Sequence, residues 1–204
     1  YYEGRSFPGD LSINEWGVAR QGGAFLHFTH IESPLIHADT REAIASYPVP
    51  DLDAPYRWTH AADAVADHHA QGYAVTGFVG HTFETAWQIR GMQNFLTDML
   101  VNRDWCELLI EKLRTVNLAK IRYLAAAGVD VLRIGDDVGT QNGMMFSPDL
   151  WRALFKPVLR DYFALAKQIN PDVLLWYHSD GDIRAIIPDL IEIGLDILNP
   201  VQPE

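Results

Sequence analysis

An α/β barrel of the (β/α)8 kind, only part of it present in this chain, is the fold class the sequence predicts. Three observations point there. Four short apolar runs alternate with stretches of helical period, a pattern that builds parallel strands with helices covering both faces of the sheet. Each run ends in a polar or ionisable residue. No run leads into the glycine-rich phosphate loop of an open, doubly wound sheet. An eight-stranded barrel usually takes about 250 residues. The 204 residues here, with four such strands, therefore read as an incomplete fragment truncated at both ends. A four- or five-stranded open sheet is the competing architecture.

The elements follow in order. Residues 1–58 form an N-terminal hairpin and connector, rich in Gly, Pro and aromatics. Asn14–Arg20 and Ala24–Thr29 flank Gly22-Gly23 and read as a β-hairpin. Thr40–Ser46 suits a short helix, and Pro48, Pro50 and Pro55 punctuate the connector. Residues 59–204 carry the central β/α units. Thr59–Gln71 reads as a helix stopped by Gly72, and Tyr73–Val79 as a strand ending at Gly80-His81. A helix starting at Asn102 or Asp104 keeps a period near 3.6 through Trp105, Leu109, Leu113, Val116 and Leu124 as far as Gly128. Val129–Gly135 is the second strand. Ser147-Pro148 opens a helix as N-cap and N1 proline, and that helix stops before Asn170-Pro171. Val173–Tyr177 is the third strand, Asp182 caps a helix over Ile183–Ile193, and Leu195–Leu198 is the fourth strand.

Composition narrows the function classes. The net charge is −11 and no basic run could follow a phosphate backbone, which argues against nucleic acid and anionic membranes. No apolar run approaches the ~20 residues of a membrane span. The single cysteine, Cys106, excludes a disulfide framework and fits a reducing cytoplasm. The chain starts Tyr1-Tyr2-Glu3 rather than with Met, so an upstream targeting segment stays open.

In parallel α/β folds the chemistry lies beyond the carboxyl ends of the strands. Here those ends are Gly80-His81, Gly135-Asp136-Asp137, His178-Ser179-Asp180-Gly181 and Asn199-Pro200. His178 and Asp180 are two apart in extended chain, so both can face one ion, and imidazole with carboxylate is an acceptable zinc set. The alternative is a plain turn feeding the Asp182 cap. Adjacent Asp136 and Asp137 suit general acid–base work, because repulsion raises one pKa. Asp136, next to Gly135, is the one expected to point inward. His81, Gln141 and Asn199 are candidate substrate contacts. Met144 and Met145 suit a pocket wall. His27 and His30 would face opposite sides of a strand, His68-His69 reads as surface, and Glu15-Trp16 as packing or a flap.

Together these segments resemble the uroporphyrinogen decarboxylase superfamily. The resemblance is carried by Gly77-Phe78-Val79-Gly80 with Gly91, Asp136-Asp137-x-Gly139-x-Gln141, Ser147-Pro148-x-x-Trp151-Arg152, Lys156-Pro157 and His178-Ser179-Asp180-Gly181. It continues through Ile191–Gln202 and covers the chain from about Asn14 onward. It implies a TIM barrel and one of two activities. One is the cofactor-free decarboxylation of porphyrin biosynthesis. The other is zinc-dependent methyl transfer between corrinoid proteins and thiols such as coenzyme M. Trp87 stands where true decarboxylases carry a porphyrinogen-contacting tyrosine. The methyltransferases carry His-x-Cys where this chain has His178-Ser179-Asp180, and a second cysteine would fall beyond Glu204. The Asn14–Gly17 hairpin looks more like the methyltransferase branch.

The resemblance thus favours a metal-dependent methyltransferase-like enzyme, with His178 and Asp180 holding zinc through an altered ligand set and Asp136 and Asp137 as catalytic carboxylates. The partners implied are a small-molecule substrate, a corrinoid protein and, in a homodimer, a second copy. The alternatives are cofactor-free decarboxylation and a non-catalytic barrel that binds a ligand or a corrinoid protein.

Overall fold

The computed structural model describes residues 11–22 and 29–201. In chain order the elements are β1 (Leu11–Ile13), β2 (Ala19–Gly22), β3 (Thr29–Glu32), α1 (Arg41–Ser46), α2 (Ala61–Ala70) and β4 (Thr76–Gly80). Then come α3 (Phe83–Arg90), α4 (Met92–Asp98), α5 (Arg103–Ala126), β5 (Val131–Gly135), β6 (Gly139–Thr140) and β7 (Gly143–Met144). The series ends with α6 (Pro148–Leu154), α7 (Lys156–Ile169), β8 (Leu174–His178), α8 (Ile187–Glu192) and β9 (Ile197–Asn199). No helix is long and apolar enough to cross a membrane among the described residues.

The contacts divide the chain into two compact units. One holds the described residues up to Pro50 together with Glu84–Leu113, and the other holds Asp51–Phe83 and the chain from Arg114 onward. In the first unit, β1, β2 and β3 form an antiparallel sheet in that order. Gly22 pairs with Thr29, so the expected hairpin is present, while its tip, with His27, lies outside the described residues. The stretch from Asn14 is not the continuous strand expected. Its carboxamide Oδ1 accepts from the backbone N–H groups of Trp16 and Val18, which curls Asn14–Gly17 into a turn between β1 and β2. The Tyr47 hydroxyl donates to the Trp16 carbonyl from the far end of α1. Thr40 caps α1 through Ala43 N–H. A buried ion pair, Arg90 Nε to Asp98 at 2.7 Å, ties α3 to α4, and Arg90 Nη1 also donates to the Leu35 carbonyl.

The second unit contains the four predicted strands as one parallel sheet in the order β4-β5-β8-β9. Each strand lies beside its predecessor with no reversal. That is the singly wound order of a barrel, as opposed to the doubly wound order of an open sheet. Leu132, Ile134, Leu175 and Tyr177 are buried on one face, as alternation in a strand requires. Against that unit's core α7 buries Val158, Leu159, Tyr162, Phe163 and Ala166 on a single stripe. The helix expected between Ser147 and Asn170 is two helices, α6 and α7. Pro157 has no N–H to continue the ladder, and the chain breaks at Phe155. The helix expected over Ile183–Ile193 begins as a 3₁₀ turn, Arg184–Ile186, before α8. Asp182 is not its cap in the α-helical sense. It accepts from Arg184 N–H two residues on, an Asx turn that tightens the entry.

Candidate metal centre

All four carboxyl ends of the parallel sheet lie in the second unit. The register fixes which residues meet there: Gly135 is opposite His178, and His178 is opposite Asn199. His178 Nδ1 sits 2.9 Å from Asn199 Oδ1. A carboxamide oxygen only accepts, so with Asn199 in this orientation Nδ1 carries a proton and Nε2 is the ring nitrogen left for another partner. Nε2 faces two carboxylates. Asp137 Oδ1 is 3.5 Å from Nε2 and Asp180 Oδ1 is 3.9 Å from it. One ligand atom from each of Asp137, His178 and Asp180 lies within 4.8 Å of the other two. The Asp180 backbone N–H donates to Asp137 Oδ1 at 2.9 Å, which holds the two loops at that spacing.

The three side chains are accessible. His178 is 34% exposed, Asp137 38% and Asp180 65%. Two carboxylates beside one imidazole make a local field that favours a cation. The donor set fits a small divalent metal: one nitrogen, two carboxylate oxygens, and access from solvent for a further ligand, which is the three-ligand form of catalytic zinc sites. The Asn199 contact is of the kind that metal-ligating histidines generally make through their other ring nitrogen.

Small residues underlie this arrangement. A Cβ on Gly135 would come within 2.6–3.0 Å of His178 backbone and Cβ atoms, so only glycine lets β8 approach this closely with His178 in place. A Cβ on Gly139 would meet the Asp180 carbonyl at 2.7 Å and the Asp182 nitrogen at 2.9 Å. The loops after β5 and β8 are then bonded together. Ser179 Oγ accepts from Val138 N–H, and Asp182 N–H donates to the Thr140 carbonyl at 2.8 Å.

The other candidates fall into place around this cluster. Asp136 is the residue that does not join it. It is 3% exposed, and its carboxylate accepts from Thr82 N–H at 2.9 and 3.1 Å, so it holds the segment after β4 against the end of β5. Asp136 is the more buried of the pair, held by that backbone donor, and Asp137 is the one whose carboxylate reaches His178. His81 Nδ1 donates to the Gly135 carbonyl at 2.6 Å, which anchors the ring beside the same strand end. Gln141 lies at the exposed turn between β6 and β7. Asn199, expected as a substrate contact, has its Oδ1 on His178. Met144 and Phe146, with Ser147, Pro148 and Arg184, line a cleft of about 520 Å³ formed by the same two loops. There the Arg184 guanidinium holds the Asp182 carboxyl down at about 2.

Sequence reasoning missed Asn117 and Lys120 of α5. Asn117 is buried, with its amide on the Tyr162 hydroxyl at 3.3 Å, and Lys120 Nζ donates to the Val79 carbonyl at 2.7 Å. Burial pushes the Tyr162 phenol up, out of the titrating range. The available signal was polar residues interrupting the apolar stripe of α5.

The family model described as Uroporphyrinogen decarboxylase (URO-D) matches residues 17–200. The chain belongs to this family. The uroporphyrinogen decarboxylase family fold is a (β/α)8 barrel, and the parallel β4-β5-β8-β9 sheet with its helices is an incomplete stretch of one. A solved structure described as a methyltransferase from Methanosarcina mazei superposes with a TM-score of 0.67 at 17% identity. The alignment covers 90% of this chain and 52% of that one, so the chain spans about half the length of its structural neighbour. A search of curated proteins gives no match.

Proposed function

We propose that this member of the uroporphyrinogen decarboxylase family acts in methyl transfer, with Asp137, His178 and Asp180 holding a zinc ion. The observation that carries the reading is the cluster itself: an imidazole whose Nδ1 is occupied by Asn199 and whose Nε2 faces two carboxylates. The fold likeness to a methyltransferase supports the same branch. When bound, zinc would lower the pKa of a thiol or hydroxyl substrate and so supply a nucleophile at neutral pH.

This chain's own residues then have defined tasks. Asn199 fixes the imidazole tautomer and its plane. Asp137, held by the Asp180 N–H, keeps one oxygen toward Nε2. Asp180, the most exposed of the three, leaves that side of the cluster open to solvent, which takes the proton released by the substrate S–H or O–H. The substrate anion attacks the methyl carbon of a donor, the carbon–donor bond breaks with its electron pair going to the donor, and the methylated acceptor leaves. A corrinoid carried by a partner protein is the donor of this reading, and the small acceptor sits beside the cluster.

The test is methyl transfer from methylcobalamin to a thiol by the purified protein, with and without chelator. Turnover abolished by chelator and restored by zinc supports the reading, and chelator-resistant turnover refutes it. The family's decarboxylase name supports a second reading, metal-free decarboxylation. Release of CO₂ from uroporphyrinogen in the presence of chelator would favour that one.

A further inference from the structure

We infer that Asp136 is a positioning residue for Asp137: it fixes where the Asp137 carboxylate stands at the carboxyl end of the sheet, and it acts as a hydrogen-bond acceptor whose charge is not required. The zinc reading underlies only the metal measurement that tests this. Asp136 is one peptide unit from Asp137, about 3.8 Å between Cα atoms. Its N–H donates to the His178 carbonyl at 2.9 Å, and its carbonyl accepts from the buried Tyr177 hydroxyl at 3.4 Å. On the other side, both carboxylate oxygens accept from Thr82 N–H, at 2.9 and 3.1 Å. Asp136 is buried, and each of these partners lies on β8 or in the segment just after β4.

Thr82 is braced in turn. The Tyr162 hydroxyl, on α7, stands 3.3 Å from Thr82 Oγ1, and the Asn117 amide, on α5, donates to the same hydroxyl at 3.3 Å. With its oxygen occupied by that amide, the phenol is left to donate its own proton to Thr82. Thr82, Asn117 and Tyr162 are all buried, where a hydrogen bond left unmade is costly. A satisfied buried network of this kind holds its members in one arrangement. Thr82 N–H is thereby a fixed point from which Asp136 is held.

Asp137 itself is 38% exposed, so packing alone does not hold its side chain. Its Oδ1 accepts from Asp180 N–H at 2.9 Å and stands 3.5 Å from His178 Nε2. That geometry depends on a backbone anchored one residue earlier, at Asp136. The anchoring partner is a backbone N–H, which a neutral amide oxygen serves as well as a carboxylate. A different role would need the charge. One nitrogen of His81 lies within 4.8 Å of an Asp136 oxygen, and an Asp136 that ligated an ion beside His81 could not be replaced by asparagine without loss.

The variants are Asp136→Ala, Asp136→Asn and Tyr162→Phe, with melting curves to establish folding. In chelator, exchange of the Asp180 amide proton is followed by NMR, because that proton reports the bond to Asp137 Oδ1. Calorimetric titration then gives the affinity for zinc. Asp136→Ala should speed Asp180 exchange and weaken zinc binding, each by about tenfold or more, the usual effect of disturbing a ligand's support. Asp136→Asn should restore both to within about threefold of wild type, since its amide oxygen still accepts from Thr82. Lower melting of Asp136→Ala with both readouts unchanged overturns the inference, because Asp136 would then support the fold alone. An Asp136→Asn protein as impaired as Asp136→Ala also overturns it, since the charge would then be what acts. If Asp136→Ala does not fold, Tyr162→Phe decides: a change of about threefold in the same two readouts upholds the inference, and none overturns it. A wild type that takes up no zinc, with the Asp180 amide responding as described, refutes the zinc reading and leaves the role of Asp136 standing.

Discussion

Replacing Gly135 by alanine perturbs the fold and the proposed site at one atom. The added Cβ would meet the His178 carbonyl oxygen at 2.6 Å, its Cβ at 2.8 Å and its nitrogen at 3.0 Å. All three belong to the neighbouring strand and none can swing away. To reach ordinary contact, the end of β8 must move from β5 by roughly 0.4–0.8 Å, on a potential where such errors are costly. The move also strains the Asp136 N–H to His178 carbonyl bond, now 2.9 Å. Overpacking of this kind costs about 1–3 kcal/mol. At about 2–4 °C per kcal/mol for a chain of this size, the melting temperature should fall by roughly 2–12 °C. Because His178 itself is displaced, zinc affinity should fall by about 10–100-fold, the usual effect of disturbing a ligand's support. Scanning fluorimetry and calorimetric zinc titration measure the two. A Gly135→Ala protein with unchanged melting and unchanged zinc affinity would refute the packing argument. Lower melting with unchanged affinity would separate the glycine from the site.

Three further outcomes follow from the same geometry. Asn199→Ala removes the acceptor for His178 Nδ1, and zinc affinity should fall about 10–100-fold with the fold retained; unchanged affinity would mean the imidazole is oriented some other way. Cys106 is buried and its thiol is pushed up to about 12 by desolvation, so it should resist a thiol reagent in the native protein and react on unfolding; rapid native labelling contradicts its placement. Asp182 is held at about 2 by Arg184, below its ordinary 3.8, so its contribution to stability is present above about pH 4 and disappears as pH falls toward 2. Urea unfolding of Asp182→Asn beside wild type should therefore differ at pH 7 and converge near pH 2, and a difference that persists there counts against the pairing.

The barrel strands were readable because each is a compact apolar run that ends in Gly, His or Asn, and the period changes cleanly between strand and helix. The breaks at Asn14 and Phe155 were not. Both depend on local hydrogen bonding that overrides periodicity: an Asx turn in one case, and the missing N–H of Pro157 in the other. At the site, spacing alone put His178 and Asp180 on one face. It could not say which of Asp136 and Asp137 would join them, because that choice is made by Thr82 N–H, 54 residues away in sequence. The role of Asn199 was equally hidden, since it depends on the β8–β9 register, which strand lengths do not reveal.

The most direct measurement is a calorimetric zinc titration of the purified, chelator-treated protein and its His178→Ala and Asp137→Asn variants. The Asp137–His178–Asp180 centre predicts one zinc per chain in the wild type. It also predicts affinity at least tenfold weaker in each variant, with melting curves that show all three proteins folded. A wild type that takes up no zinc, or a His178→Ala protein that binds it as tightly as the wild type, would contradict it.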